Sequence, residues 1–339
     1  MTSARVAIVG TGANGAGVGA DLTRAGVDVT LIDQWPENVE AMRARGVIVE
    51  TPEGSETTPV RAIHLCEVAT LKSRFDVAFL GVDAYDTTWA SQLIEPYLED
   101  DGLAVGLQNG MTIDQMLPVF GAARTLGAVI EIAAAMWEPG RVERHTPPAG
   151  TWFAVGSLAP TTRGREGEIA ALLRHAGVVE VVDDIRSAKW MKLVVNSAEL
   201  VPSAICNLPL LEAARLPGMD AFMRRAGKEA ITTAVAAGQS VVPIFGLEDV
   251  DPENPEAVVD SMLDAVYSRW SLPETKTTVL QDWLKGRRAE AAEINGEVVR
   301  TQERLGGRAP VNERIVEVAT MIERGEVGLD PSNAALLLE

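Results

Sequence analysis

The sequence is short of several things, and each shortage excludes a class of protein. Only two cysteines, Cys66 and Cys206, occur in 339 residues. They lie far apart and without metal-ligand spacing, so neither a disulfide framework nor a zinc site is expected, and no metal is assigned. The three histidines, His64, His145 and His175, are scattered and suggest no catalytic grouping. Positive charge is scarce: 30 Lys and Arg face 48 Asp and Glu, a formal net charge of −18. Such a surface opposes non-specific attachment to nucleic acid or anionic membrane, while a local basic pocket can still take an anionic substrate. No apolar run approaches a membrane span, and because "MTSARVAIVG" leads almost directly into an apolar strand, no signal peptide is expected. A reducing cytoplasm is the expected location. Repeats and low-complexity tracts are absent. A small-molecule substrate and a second copy of the chain are the expected partners.

What is present is a globular composition, 47% hydrophobic and 23% charged, over a length that suits two domains. The chain is organised around "RVAIVGTGANGAGVGADLTRAGVDVTLID". An apolar stretch suited to a strand buried on both faces runs into Gly10, Gly12 and Gly15, a G-x-G-x-x-G turn enclosing Thr11, Ala13 and Asn14. Gly10 permits the tight turn, Gly12 lets backbone approach a diphosphate, and Gly15 lets the following helix pack on the strand. That helix, running to about Arg24, would present free amides and its dipole to the diphosphate. The second strand, Val27–Asp33, ends in an acid placed to hold the adenosine ribose hydroxyls. A dinucleotide cofactor is therefore expected on Gly10 through Gly15 and Asp33.

Further on, "PENVEAMRARG" predicts a helix with Pro36 at its start and Gly46 past its end. Residues 47–63 read as a hairpin or surface loop. "FDVAFLGV" and "GLAVGLQNG" predict buried strands, each followed by a helix, so a parallel sheet is expected. Residues 125–156 change to strands between Gly and Pro turns, as if the sheet ended in antiparallel strands. Helix Glu166–His175 and strand Val178–Val182 close an α/β domain spanning 1–186. From Ser187 onward the long apolar-periodic segments predict an all-helical domain, 187–339, whose apolar helices make a dimer plausible. Pro202 is expected to bend or end its first helix. The stretch "TTVLQDWLKGRRAEAAEINGEVVRTQERLG" reads as helix.

Ligands of a parallel sheet bind beyond the strands' carboxyl ends, which singles out the Gly10 turn, residues 82–86 and Asn109. In "KWMKLVVN", Lys189, Lys192 and Asn196 share one helix face, opposite an apolar stripe of Trp190, Leu193, Val194 and Ala198.

"VAIVGTGANG", "LQNG", "WMKLVVN", "TTVLQDWLKGRRAEAAEINGEVV" and "APVN" occur in the order and approximate spacing of the ketopantoate reductase family. The chain resembles that family over nearly its whole length. The resemblance implies a Rossmann-type α/β domain followed by an all-α domain like the C-terminal domain of 6-phosphogluconate dehydrogenase. It also implies reduction of a 2-oxo acid to a 2-hydroxy acid by a nicotinamide cofactor. Carried over residue by residue, it makes Lys192 the catalytic lysine and Asn109 an asparagine near nicotinamide and substrate. Asn196 becomes a substrate contact, and Glu290, five before Asn295, the active-site glutamate. Hydride arriving at a carbonyl carbon leaves charge on the oxygen, and a lysine ammonium can stabilise that charge and supply a proton.

Three departures matter. Asp83 in "VDAYDT" stands where the family usually has lysine, Leu200 replaces a second asparagine four after Asn196, and Thr278 replaces the serine before "LQD". Thr278 keeps a hydroxyl for substrate, whereas Leu200 cannot hydrogen-bond. Asp33 would repel the 2′-phosphate of NADP, which the family commonly uses. The expectation is an NAD-dependent oxidoreductase interconverting a 2-hydroxy acid, or a related alcohol, and its carbonyl compound, with NADP the second choice. The alternatives are an NADPH-dependent 2-dehydropantoate 2-reductase of pantothenate biosynthesis and a non-catalytic dinucleotide sensor.

Overall fold

A computed structural model describes residues 4–247 and 250–339. The described residues divide into two compact units, one running to Gln108 and including Thr112–Ile185, the other Asn109–Met111 with those from Arg186 onward.

The first unit alternates strand and helix: β1 Arg5–Val9, α1 Ala13–Arg24, β2 Asp28–Asp33, α2 Pro36–Arg45, β3 Val47–Thr51, β4 Gly54–Thr58, β5 Arg61–His64 and β6 Phe75–Leu80. It continues with α3 Thr87–Ile94, β7 Leu98–Gly106, α4 Ile113–Phe120, β8 Thr125–Glu131, β9 Ala134–Glu138, β10 Arg141–Arg144, β11 Trp152–Ser157, α5 Glu166–Leu173 and β12 Val178–Val181. The main sheet has the order β12-β11-β8-β7-β6-β1-β2-β5. Its strands from β5 to β8 are parallel, and β11 turns antiparallel to β8. Strand β1 explains the continuous apolar run: Val6 and Ile8 enter one core, Ala7 and Val9 the other. Both faces are therefore covered, as a parallel sheet requires.

Residues 47–58 form a hairpin, β3 paired antiparallel with β4, one of the two forms expected there, and it belongs to a second, four-stranded sheet, β4-β3-β10-β9. That sheet corrects the expectation for 125–156 in part: β11 does run antiparallel at the end of the main sheet, but β9 and β10 leave it to join the second one. The reason lies in α1. Every residue from Gly15 to Leu22 is buried, because the helix meets the main sheet on one side and β3, β9 and β10 on the other. Burial all round puts Asp21 in the interior, where it pairs with the fully buried Arg144 of β10. Arg144 also donates to the Thr146 and Ala176 carbonyls and the Thr151 hydroxyl.

The second unit is helical: α6 Ile185–Ile205 at its start, then α7 Leu210–Arg215, α8 Met219–Ala236, α9 Pro255–Ala265, α10 Thr278–Leu284, α11 Ala291–Arg304, α12 Pro310–Glu323 and α13 Ala334–Leu338. Pro202 does not end α6, which continues to Ile205. Hydroxyls serve the carbonyls beside it: Ser203 donates to Glu199 at 2.6 Å and Thr277 to Leu200 at 3.0 Å. The segment 277–306 is not one helix. It breaks after Leu284 at Gly286, whose φ is +69°, and resumes at Ala291. Among the described residues no helix is long and apolar enough to cross a membrane.

Candidate active site

The glycine turn is built as its spacing predicts. Gly10 has φ +89°, and a Cβ there would stand 2.5 Å from the Val82 nitrogen; one on Gly15 would stand 2.1 Å from the Gly10 carbonyl oxygen. Both are closer than any side chain tolerates. Gly12 has nothing within 4 Å of its missing Cβ and serves as N-cap of α1, which lacks a side-chain cap. No side chain caps the start of that helix and the space beside Gly12 is open, the arrangement that receives phosphate. Asn14 adds a buried Oδ1 with no partner among the described residues. A dinucleotide's diphosphate fits this donor set.

Asp33, at the end of β2, is buried and already engaged. Its Oδ2 accepts from the Thr11 amide at 2.8 Å, from the Thr11 hydroxyl and from Asn38 Nδ2 at 3.3 Å; its Oδ1 accepts from the Trp35 amide at 2.8 Å. Asn38 also donates to the Thr11 carbonyl and accepts from the Gly140 amide. The acid therefore fixes the turn, leaving acceptor capacity mainly on Oδ1. Asp83 accepts from the Tyr85 hydroxyl at 2.8 Å. Gln108 donates to the Val82 carbonyl and the Thr87 hydroxyl, tying the ends of β6 and β7 together.

In the second unit the predicted residues converge. Asn196, fully buried on α6, donates to Asn109 Oδ1 at 2.9 Å; Asn109 Nδ2 in turn donates to Glu290 Oε2 at 3.2 Å. Glu290 stands at the N-cap of α11 and is buried. Residues 192, 196 and 200 follow one another at single helical turns, so Lys192 lies one turn before Asn196 and Leu200 one turn after. Thr278 opens α10 beside the Thr277 bond to Leu200. Two buried atoms here, Asn196 Oδ1 and Thr278 Oγ1, have no hydrogen-bond partner among the described residues. Orphaned polar atoms inside a packed unit are costly and mark a place for a polar ligand or water. Lys189 is buried, unlike the open polar face that the sequence pattern suggested. Burial pushes the Cys206 thiol up to about 12, which removes it as a nucleophile.

Sequence reasoning missed two kinds of residue. Asn295 and Asn312, noted only as parts of motifs, are structural: Asn295 donates to the Ser197 carbonyl and to Asn312 Oδ1, and Asn312 donates to Glu229. They lock α6, α8, α11 and α12 behind the site. Phe245, whose ring faces Lys192, sits between helices where no periodicity could signal it.

The profile described as Ketopantoate reductase PanE/ApbA matches residues 6–157, and that of its C terminal matches residues 184–323. The 2-dehydropantoate 2-reductase of Archaeoglobus fulgidus is 30% identical over 329 residues, 96% of this chain and 100% of the relative. The chain belongs to the ketopantoate reductase family. It is accordingly an oxidoreductase acting on CH–OH groups. A crystal structure of a PanE/ApbA family ketopantoate reductase from Ralstonia eutropha, 30% identical, aligns with a TM-score of 0.78 over 95% of this chain and 99% of that one. D-mandelate dehydrogenase, solved with NADH and anilino(oxo)acetate, aligns at 0.82 over 95% of this chain and 99% of its own; at 19% identity it shares the fold.

Proposed function

We propose that this family member interconverts a 2-hydroxy acid and its 2-oxo acid with NAD, using Lys192 as general acid and base. The observation that carries this reading is the hydrogen-bonded series Asn196, Asn109, Glu290, one helical turn from Lys192, with the Asn196 oxygen still unpartnered. A nicotinamide dinucleotide, held by Gly10 through Gly15 and Asp33, would supply or accept the hydride. The chain's own residues do the rest: the Lys192 ammonium stabilises charge on the substrate oxygen and passes it a proton, Asn109 donates to the carbonyl or carboxylate, and Asn196 and Thr278 orient the substrate. Glu290, held by Asn109, orients the ammonium or the substrate hydroxyl. Residues 1–186 would then be the dinucleotide-binding domain and 187–339 the substrate and dimerisation domain of a cytoplasmic homodimer.

NAD is favoured over NADP because the Asp33 carboxylate, oriented by the turn, would repel a 2′-phosphate. Leu200 favours a substrate less polar than ketopantoate. The relatives support a second reading, NADPH-dependent reduction of 2-dehydropantoate, which the Archaeoglobus fulgidus and Pyrococcus horikoshii proteins bear as their name. Assays of NADH and NADPH across a panel of 2-oxo acids separate the two: efficient NADPH turnover of 2-dehydropantoate rejects the preferred reading. Replacing Lys192→Met is expected to lower kcat by roughly 10²–10⁴-fold while NADH affinity stays within about twofold. Retained turnover would remove Lys192 from the chemistry, and a wild-type chain that binds NADH but reduces nothing would be a sensor.

A further inference from the structure

Two departures from regular backbone in the helical unit bring aromatic rings together beside Lys192. Among the described residues only Asn207 and Phe245 are non-glycines with positive φ. Asparagine tolerates that region; at φ +62°, a bulky aromatic residue does not, and such strain persists only where surrounding contacts enforce it. The second departure follows α9, which widens into a π-helical turn, Val266–Trp270, instead of ending at Ala265. Turns of this kind recur at functional sites. The Phe245 and Trp270 rings have centroids 5.1 Å apart at an interplanar angle of 46°. Both are buried, at 2% and 8% exposure. The face of the Phe245 ring lies toward Lys192, with Nζ 5.1 Å from its centroid.

We propose that Phe245, braced by Trp270, is a positioning residue that seats the Lys192 ammonium through the face of its ring. The inference rests on the reading of Lys192 as the acid. A ring face carries negative charge density and attracts a cation, most strongly where water is excluded. It thus attracts the ammonium from one side through the ring face, without itself accepting an N–H···O hydrogen bond. An aliphatic side chain of equal volume would fill the same space without that attraction. This accounts for the backbone strain: a leucine or phenylalanine serving only as filler gains nothing from a left-handed position, whereas an aromatic face needed at one point does.

The test is a shape-preserving one on the full chain. Pentafluorophenylalanine at position 245 keeps the ring's outline and reverses the sign of charge on its face. With NADH and the 2-oxo acid of the panel turned over fastest, the expected result is a roughly tenfold fall in kcat, with KM for NADH within about twofold and an unchanged melting temperature. Phe245→Tyr, which retains the face, should stay within about threefold of wild type, and Phe245→Leu should fall with the fluorinated chain. Unchanged kcat in the fluorinated chain, or equal losses in the tyrosine and leucine variants, overturns the proposal. Lys192→Met run alongside keeps the failures apart. Turnover surviving in that variant defeats the reading of Lys192 and this proposal together; turnover lost there but kept in the fluorinated chain defeats this proposal alone.

Discussion

At the scale of single residues, Asp33 answers two demands with one carboxylate. It accepts from the Thr11 amide and hydroxyl, Asn38 and the Trp35 amide, and in the proposed function it also meets a ribose. Replacing Asp33→Asn should therefore do two things at once. Loss of the charge narrows the NAD-over-NADP preference, measured as the ratio of kcat/KM values. An amide facing several donors also loosens the turn, costing about 1–3 kcal/mol in a urea melt. A narrowed preference with stability untouched would mean that the turn does not depend on this acid. An unchanged preference would mean that something else reads the ribose. The sequence made Asp33 legible as an end-of-strand acid, but it could not reveal that Thr11 and Asn38 would compete for it, because those contacts arise only when the turn is closed. The same holds for Asn109, Asn196 and Glu290. Their types and motifs could be read, but their mutual hydrogen bonds join positions 87 and 181 residues apart.

At the scale of elements, the strand and helix alternation was legible wherever a segment's own pattern decided its state, as in β1, α2, β6 and α6. The four-stranded second sheet was not, because its pairing of β3 with β10 links residues about ninety apart and β4 is mostly exposed. What demands that sheet is α1, a helix too small and apolar to face water, whose one buried acid needs Arg144. Burial pushes the Asp21 carboxyl up from its ordinary value, and the Arg144 guanidinium works against that rise. Changing Arg144→Met should cost about 3–5 kcal/mol in urea unfolding, because it leaves the buried Asp21 carboxylate with Arg24 as its one cationic partner among the described residues and takes a donor from three further acceptors. Arg144→Lys should recover little, since a point charge cannot reproduce the guanidinium's several fixed donors. A loss below about 1 kcal/mol would show the pair to be energetically idle.

For the whole molecule, a net charge of −18 makes the protein a poor host for polyanions, so a dinucleotide must be held by local donors rather than by the overall field. Binding to the folded state alone then raises stability by about 2.7 kcal/mol at a hundredfold excess over Kd. Melting curves should accordingly move upward with NADH and less with NADPH at the same concentration. Equal shifts would refute the cofactor preference without requiring any substrate to be known.

The amide of Asn109 also bears on how long a preparation keeps. Asn109 precedes Gly110, and an asparagine before glycine is the pair most prone to spontaneous deamidation, through attack of the glycine nitrogen on the side-chain carbonyl. That attack requires the amide to swing toward the backbone. Here its oxygen is held by Asn196 and its nitrogen by Glu290, so the bonds that aim the group also guard it from chemical ageing.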